Sequence, residues 1–98
     1  MGSLRIDIAA REVALKGKPV HLSAREFDLL SLLASDLGRV WSFATLTSQV
    51  WGSDYVGDRE RLTSTVKRLR KRLGSGAGCE VRSVHGVGYR LRVLAAAP

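Results

Sequence analysis

Apolar and polar residues alternate in three short bursts at the start of the chain. A period of two is typical of half-buried β-strands. Turn-forming residues interrupt the bursts at Ala10-Arg11 and at Lys16-Gly17-Lys18-Pro19. The pattern therefore predicts a small antiparallel sheet of three strands, carried by Leu4, Ile6 and Ile8, by Val13 and Leu15, and by Val20 and Leu22.

The period then lengthens to that of helices. Ser23 and Glu26 fit a capping box that opens a first helix, which is predicted to run to about Ser35, with Gly38 beyond its end. The buried side of this helix is predicted to carry Phe27, Leu30, Leu33 and Ala34.

A second, shorter helix is predicted after an extended piece at Val40-Trp41. Ser42 can cap this helix, which is predicted to end at Trp51-Gly52. The segment Gly52–Asp58 contains two glycines and two aspartates and is predicted to be a loop.

The third helix has the clearest pattern in the chain. It is predicted over Arg59–Leu73, followed by a stop at Gly74-Ser75-Gly76. Four apolar residues at intervals of four, three and four predict one narrow buried stripe, namely Leu62, Val66, Leu69 and Leu73. The side opposite this stripe is predicted to project Arg61, Ser64, Lys67, Arg68 and Lys71.

Two further strands, Val81–Val84 and Tyr89–Val93, flank the glycine-rich turn His85–Gly88 and predict a β-hairpin. Together these elements predict an α+β fold: a winged helix-turn-helix with an N-terminal antiparallel sheet, three helices and a C-terminal β-hairpin wing. The length of 98 residues fits a single domain. Within it, residues 1–3 are interpreted as a cloning remnant and residues 95–98 as a frayed tail.

The positive charge is concentrated in the third helix. Of the net charge of +7, residues 59–73 carry +6, residues 1–58 carry −1 and residues 74–98 carry +2. A solvated charged helix is the alternative interpretation, but such helices usually interleave Glu with Lys, and Glu60 is the only acid in this segment. A field this concentrated suits a polyanionic partner.

Other classes of function find little support. No nucleophile with a base, paired carboxylates or phosphate loop with a lysine can be assembled, so the sequence predicts neither an enzyme nor a cofactor. Cys79 is the lone cysteine, and His21 and His85 stand far apart, so no disulfide or metal site is predicted. Without a secretory signal or an apolar run long enough for a membrane, the cytoplasm is the predicted location.

The basic helix and the hairpin have the chemistry to bind DNA. An α-helix fits the major groove, where an arginine can pair with a guanine edge. His85 lies near the predicted hairpin tip and could reach the minor groove, although the hairpin could instead only close the fold. Trp51 and Tyr89 could be core aromatics or could donate hydrogen bonds to phosphates, and for Trp51 both roles stay open.

Four stretches in this order resemble the winged-helix output domain of the OmpR/PhoB class of bacterial transcription regulators. The resemblance extends from Leu4 to Val93. It rests on Leu22-Ser-Ala-Arg-Glu-Phe-Asp-Leu-Leu30, on Gly38-Arg-Val40 followed by Ser42, on Val50-Trp-Gly52, and on Arg68-Leu-Arg-Lys71 leading to Gly86-Val-Gly-Tyr-Arg-Leu91.

The resemblance implies a four-stranded N-terminal sheet, three helices and a hairpin wing. It further implies that the third helix enters the major groove, that the wing touches the minor groove and that loop 52–58 contacts RNA polymerase. Arg68 would read a base, and the DNA backbone would be held by Thr65, Arg70, Trp51, Ser83 and Tyr89. An upstream receiver or other domain is also implied, as is head-to-tail pairing on DNA. Because the sequence has neither a heptad pattern nor a leftover apolar stripe, a monomer that pairs only on DNA is predicted.

Three departures from the family pattern limit what the resemblance transfers. The third helix begins Glu60-Arg-Leu-Thr-Ser-Thr65 where the family usually has Arg-Thr-Val-Asp-Val-His. His85 stands at a wing position that is usually Arg, and Phe43 replaces the basic residue that commonly follows the serine of the second helix. The DNA sequence that the family recognises therefore cannot be assumed for this chain.

A protein–protein module and a non-specific or RNA-binding domain remain alternative functions.

Overall fold

The computed structural model describes residues 4–55, 57, 59–74 and 77–93. The predicted remnant at 1–3, the tail at 95–98, and parts of the predicted loop (56 and 58) and helix stop (75 and 76) lie outside the described residues. The elements are β1 (Leu4–Asp7), β2 (Glu12–Leu15), β3 (Lys18–Val20), α1 (Ala24–Ala34), β4 (Trp41–Ser42), α2 (Phe43–Trp51), α3 (Glu60–Leu73), β5 (Cys79–Val84) and β6 (Gly88–Val93).

The N-terminal sheet has the antiparallel order β1-β2-β3, which confirms the prediction of three strands. The tight turn between β2 and β3 uses Lys16 and Gly17, both with positive φ. The fourth strand implied by the resemblance is not found in this sheet within the described residues. Instead β4, the short strand before α2, pairs with β6 and forms one edge of the sheet that contains the hairpin. Ile8 was predicted to extend the first strand but lies in a turn and is exposed.

The second sheet has the order β4-β6-β5 and contains the wing, which we define as β5, β6 and the turn at 85–87. β5 begins at Cys79, two residues earlier than predicted, because Cys79 is buried and pairs with Val93. β6 begins at Gly88, which pairs with both Ser42 and Val84.

Polar side chains begin the first two helices as predicted. In α1, Ser23 Oγ accepts a hydrogen bond from Glu26 N and Glu26 Oε1 accepts one from Ser23 N, both at 3.2 Å. Ser42 Oγ accepts from Thr45 N at 3.1 Å and caps α2. The last turn of α2 has no basic residue of its own, and Arg25 of α1 donates to the Val50 carbonyl at 2.6 Å. This contact satisfies a carbonyl that a helix end leaves without an intrahelical partner.

The three helices and the wing share one hydrophobic core. The predicted stripe of α3 is buried in full, as Leu62, Val66, Leu69 and Leu73 all lie in this core. It packs with Leu29, Leu30, Leu33, Leu46 and Leu91, whereas the predicted core residue Ala34 is only partly buried. α3 is thus held by one stripe, which leaves its outer side and two flanks to carry polar groups.

Candidate nucleic-acid interface

The surface of α3 falls into an outer side and two flanks. Lys67 and Lys71 are exposed on the outer side, and Ser64, about one turn before Lys67, is half-buried. We name the two flanks by the elements they face. The α1 flank is formed by Arg68 and Arg72, and the wing flank by Arg70 together with Arg59, the residue before the helix.

A single buried carboxylate organises the α1 flank. Glu26 is only 2% exposed, and its two oxygens lie 3.5 Å from Arg68 Nε and 3.7 Å from Arg72 Nε. A buried charge is costly unless it is paired and hydrogen-bonded, and Glu26 has both guanidinium groups and the Ser23 N–H. The arginine side chains themselves remain 58% and 53% exposed.

From the sequence, Glu26 was predicted only to be a capping residue, and its pairing with the two arginines was missed. A signal was present, because Glu26 lies four residues before Leu30 and seven before Leu33, on the buried stripe of α1. A carboxylate on a buried stripe requires cationic partners, and α3 is the richest source of them.

Thr65 connects the α1 flank to the interior of the helix. It is 1% exposed, its hydroxyl donates to the Arg61 carbonyl at 2.7 Å, and it accepts from Arg68 Nη2 at 3.4 Å. Thr65 was predicted to hold the DNA backbone. In this placement its hydroxyl serves to hold Arg68, so a phosphate contact would require Thr65 to rotate.

The wing flank brings three predicted backbone contacts together. Arg70 Nε donates to the Val81 carbonyl at 2.9 Å, and Arg70 Nη2 donates to Ser83 Oγ at 2.8 Å. Ser83 pairs with Tyr89 across the wing, and the Arg70 guanidinium lies 5.7 Å from the centre of the Tyr89 ring. Arg70, Ser83 and Tyr89 therefore form one cluster at the junction of α3 and the wing, in which the tyrosine ring is buried.

Two residues absent from the sequence-based site extend this cluster. The Phe43 ring meets the Tyr89 ring edge-on, with centroids 5.8 Å apart and planes at 90°. The Arg59 guanidinium lies 4.0 Å above the centre of the Phe43 ring. Neither contact is visible from sequence spacing, because α2, α3 and the wing meet here only through the tertiary fold.

An open groove on the other side of α3 collects further predicted residues. It is lined by Trp51 at the end of α2, by Arg25 of α1, and by the α3 residues Arg61, Ser64 and Arg68. The Trp51 ring is half-buried and tilted by 31° against Tyr55, with centroids 5.9 Å apart. Trp51 thus packs against the core and also borders the groove, so both of its suggested roles fit its position.

The remaining predicted residue, His85, lies apart from both groups. It is exposed in the wing turn beside Gly86, which has a φ of +73°. Val87, also in this turn, is 46% exposed. The turn therefore projects an imidazole and an apolar side chain away from the core.

Cys79 is part of the hydrophobic core. Its side chain is buried at the start of β5, and burial raises the pKa of its thiol. Among the described residues, no helix is long and apolar enough to cross a membrane.

Comparison with known proteins identifies the family. Residues 17–91 match the family described as "Transcriptional regulatory protein, C terminal". The chain belongs to this family. Its membership confirms the resemblance to OmpR/PhoB-type regulators and the prediction of a DNA-binding domain from a transcription regulator.

Individual members of the family align over nearly all of the chain. The sensory transduction protein RegX3 of Mycolicibacterium smegmatis is 40% identical over 92 residues, which cover 92% of this chain and 40% of that protein. The DNA-binding domain of Bacillus subtilis CssR has a TM-score of 0.81 at 34% identity, covering 91% of this chain and 99% of that one.

A further structure of the family contains DNA. The Klebsiella pneumoniae RstA DNA-binding domain, crystallised in complex with the RstA box, has a TM-score of 0.81 at 32% identity, covering 93% of this chain and 92% of that one. These similarities confirm the predicted winged-helix fold. The chain spans about 40% of the length of curated relatives such as RegX3.

Proposed function

We propose that this chain reads duplex DNA with α3 in the major groove and places the wing at the minor groove. The observation that carries the proposal is that the tertiary fold holds arginines on both flanks of α3. Arg68 and Arg72 are held by Glu26, and Arg70 is held by Val81 and Ser83. A helix with fixed cations on its flanks and exposed lysines on its outer side suits a groove walled by phosphates.

The residues take different roles in this proposal. Arg68 reads a base edge. Further contacts to DNA come from neighbouring residues on the surface of α3, namely Arg61, Ser64, Lys67 and Lys71. Contacts to the DNA backbone come from the arginine, hydroxyl and aromatic side chains around the helix, namely Thr65, Arg70, Trp51, Ser83 and Tyr89. His85 approaches the minor groove from the wing turn.

The salt dependence of binding to a random-sequence duplex tests the proposal. Log affinity should fall linearly with log salt concentration, and Lys71→Ala should reduce the magnitude of that slope by about one, the share of one phosphate contact. Lys18→Ala is the matched control, since it removes the same charge from exposed β3. Binding that is insensitive to salt, or an equal change in both variants, would contradict the proposal.

The role of His85 can be tested separately. An arginine carries its charge at every physiological pH, and a narrow minor groove attracts it. His85→Arg should therefore raise affinity for duplex DNA by about 1 kcal/mol or less, the size of one exposed charge pair. An unchanged affinity would show that the wing turn does not approach a groove.

Further partners are proposed for the larger protein in which such a domain functions. Loop 52–58 would contact RNA polymerase, and a receiver or other regulatory domain would precede this one. We propose that this chain works in the cytoplasm and catalyses no reaction. We also propose that it is a monomer in solution and pairs on DNA. Sedimentation with and without DNA tests the last point, and a stable dimer without DNA would contradict it.

A further inference from the structure

A row of two aromatic rings between two arginines runs along the wing flank. Arg59 stacks on Phe43, the Phe43 ring abuts Tyr89, and Tyr89 faces Arg70. We call these four residues the arginine–aromatic row. Its middle is fixed by the backbone as well, since Phe43 N donates to the Val87 carbonyl at 3.1 Å. The row therefore joins the start of α2, the wing and both ends of α3.

The stack at the start of the row holds a cation without neutralising it. A guanidinium over a ring face is attracted by the negative face of the π-system, which carries no net charge. The N–H groups at the edge of the guanidinium remain able to donate in its plane. Arg59 is exposed, so a ligand in solvent can reach its guanidinium.

The ligand class follows from the position of Arg59 and the charge around it. Arg59 and Arg70 lie on the same flank, about 16 Å apart along the helix axis. A helix that lies in the major groove presents one flank to one wall of the groove, and that wall is a strand of phosphates. A planar guanidinium matches the geometry of phosphate and can bind it through two parallel hydrogen bonds.

We propose that Arg59, held over Phe43, is a binding residue for a phosphate of duplex DNA. Arg59 supplies, from the residue before α3, the positive charge that position 43 lacks, because Phe43 stands where the family commonly has a basic residue. Phe43 is a positioning residue in this arrangement and does not itself contact DNA. The inference rests on the proposed function, since it assumes that α3 enters the major groove.

The test measures the salt dependence of binding to a random-sequence duplex, since a phosphate contact does not depend on sequence. Arg59→Ala should reduce the magnitude of the slope by about 0.9. Phe43→Leu should weaken binding without changing the slope, because the charge remains but is no longer held. Combined with Arg59→Ala, Phe43→Leu should add little further loss.

The rescue variant is the sharpest part of the test. Arg59→Ala combined with Phe43→Arg returns a cation to the start of α2 and should restore the slope. The matched control is Arg39→Ala, because the Arg39 guanidinium also lies 4.0 Å over a ring, that of Trp41, but pairs with Asp36 at 3.9 Å. Removing this already paired charge should leave the slope unchanged.

The outcomes separate the inference from the proposed function. An unchanged slope in Arg59→Ala, with Lys71→Ala still lowering it, would overturn the role of Arg59 and leave DNA binding by α3 intact. If Phe43→Arg failed to restore the slope, Arg59 would not be supplying the charge that a basic residue at position 43 would otherwise provide. Wild-type binding without salt dependence would instead refute the proposed function. Circular dichroism and thermal unfolding of each variant establish that it is folded, with Arg59→Gln replacing Arg59→Ala if the alanine variant is not.

Discussion

The two flanks of α3 hold arginines by opposite means. On the α1 flank, Arg68 and Arg72 share the buried carboxylate of Glu26. On the wing flank, Arg59 and Arg70 rest against aromatic rings, and Arg70 also donates to a carbonyl and a hydroxyl. The first arrangement cancels part of the positive charge, and the second preserves all of it.

This difference bears on how each flank can meet DNA. A phosphate that approaches Arg68 must compete with Glu26, because both are anions that bind the same guanidinium. A phosphate that approaches Arg59 meets no such competitor in the stack. We therefore expect the wing flank to supply affinity for any sequence and the α1 flank to bind only where a base edge adds to the attraction.

The largest expected effect is a loss of stability of the free protein when the ion pairs of the α1 flank are removed. Glu26→Ala removes both ion pairs and one half of the capping box, and should lower the free energy of unfolding by about 2–3 kcal/mol. Glu26→Gln should cost less, because its amide oxygen can still accept from Ser23 N. Urea unfolding of both variants measures this. Equal losses would mean that the charge of Glu26, and not its hydrogen bond, provides the stability.

The next effect concerns base reading. Arg68→Ala should weaken binding to a duplex selected from a random library by about 1–2 kcal/mol, toward the low end for a bidentate base contact because Glu26 competes for the free arginine. Base preference should relax at one position. Lys71→Ala, in contrast, should weaken selected and random duplexes alike. If Arg68→Ala also weakened both equally, Arg68 would be a backbone contact.

A smaller effect compares the two flanks by the same substitution. Arg70→Lys should lower the free energy of unfolding by about 1 kcal/mol, since an ammonium cannot reproduce the fork that reaches Val81 and Ser83 together. Arg68→Lys should cost less, because a point charge can still pair with Glu26. Thermal unfolding of the two variants side by side tests this difference, and the reverse order of stabilities would contradict it.

The smallest effect sharpens the idea of competition. Glu26→Gln removes the anion that competes with phosphates and should raise affinity for a random duplex by less than about 1 kcal/mol. Glu12→Gln is the matched control, because it makes the same change in charge on an exposed residue of β2. Fluorescence anisotropy at fixed salt measures both. An equal gain in the two variants would assign the effect to net charge alone.

Local sequence signals predicted most of the fold. Three of these signals each involve residues close together in sequence, and the structure contains all three: the capping box at Ser23, the cap at Ser42 and the buried stripe from Leu62 to Leu73. The pairing of β4 with β6 was not predicted, because a two-residue strand has no period and its partner lies far along the chain.

The site was less predictable than the fold for the same reason. The exposed lysines of α3 follow from helical geometry, whereas the partners of its arginines come from α1, α2 and the wing. Glu26 lies more than forty residues from Arg68, and Phe43 gives no local sign that it supports Arg59. Local periodicity therefore does not predict side chains that act through tertiary contacts.

Gly88 has a consequence for how this domain can diversify. A Cβ at this position would collide with the Trp41 carbonyl oxygen, so β4 lies against β6 only because the side chain there is a hydrogen atom. His85 and Val87, on either side of Gly86, are exposed and carry no such restriction on volume, whereas the φ of +73° at Gly86 favours glycine. A lineage, or a randomised library, can therefore exchange His85 and Val87 one at a time, while a side chain at Gly88 would push β4 away from the wing.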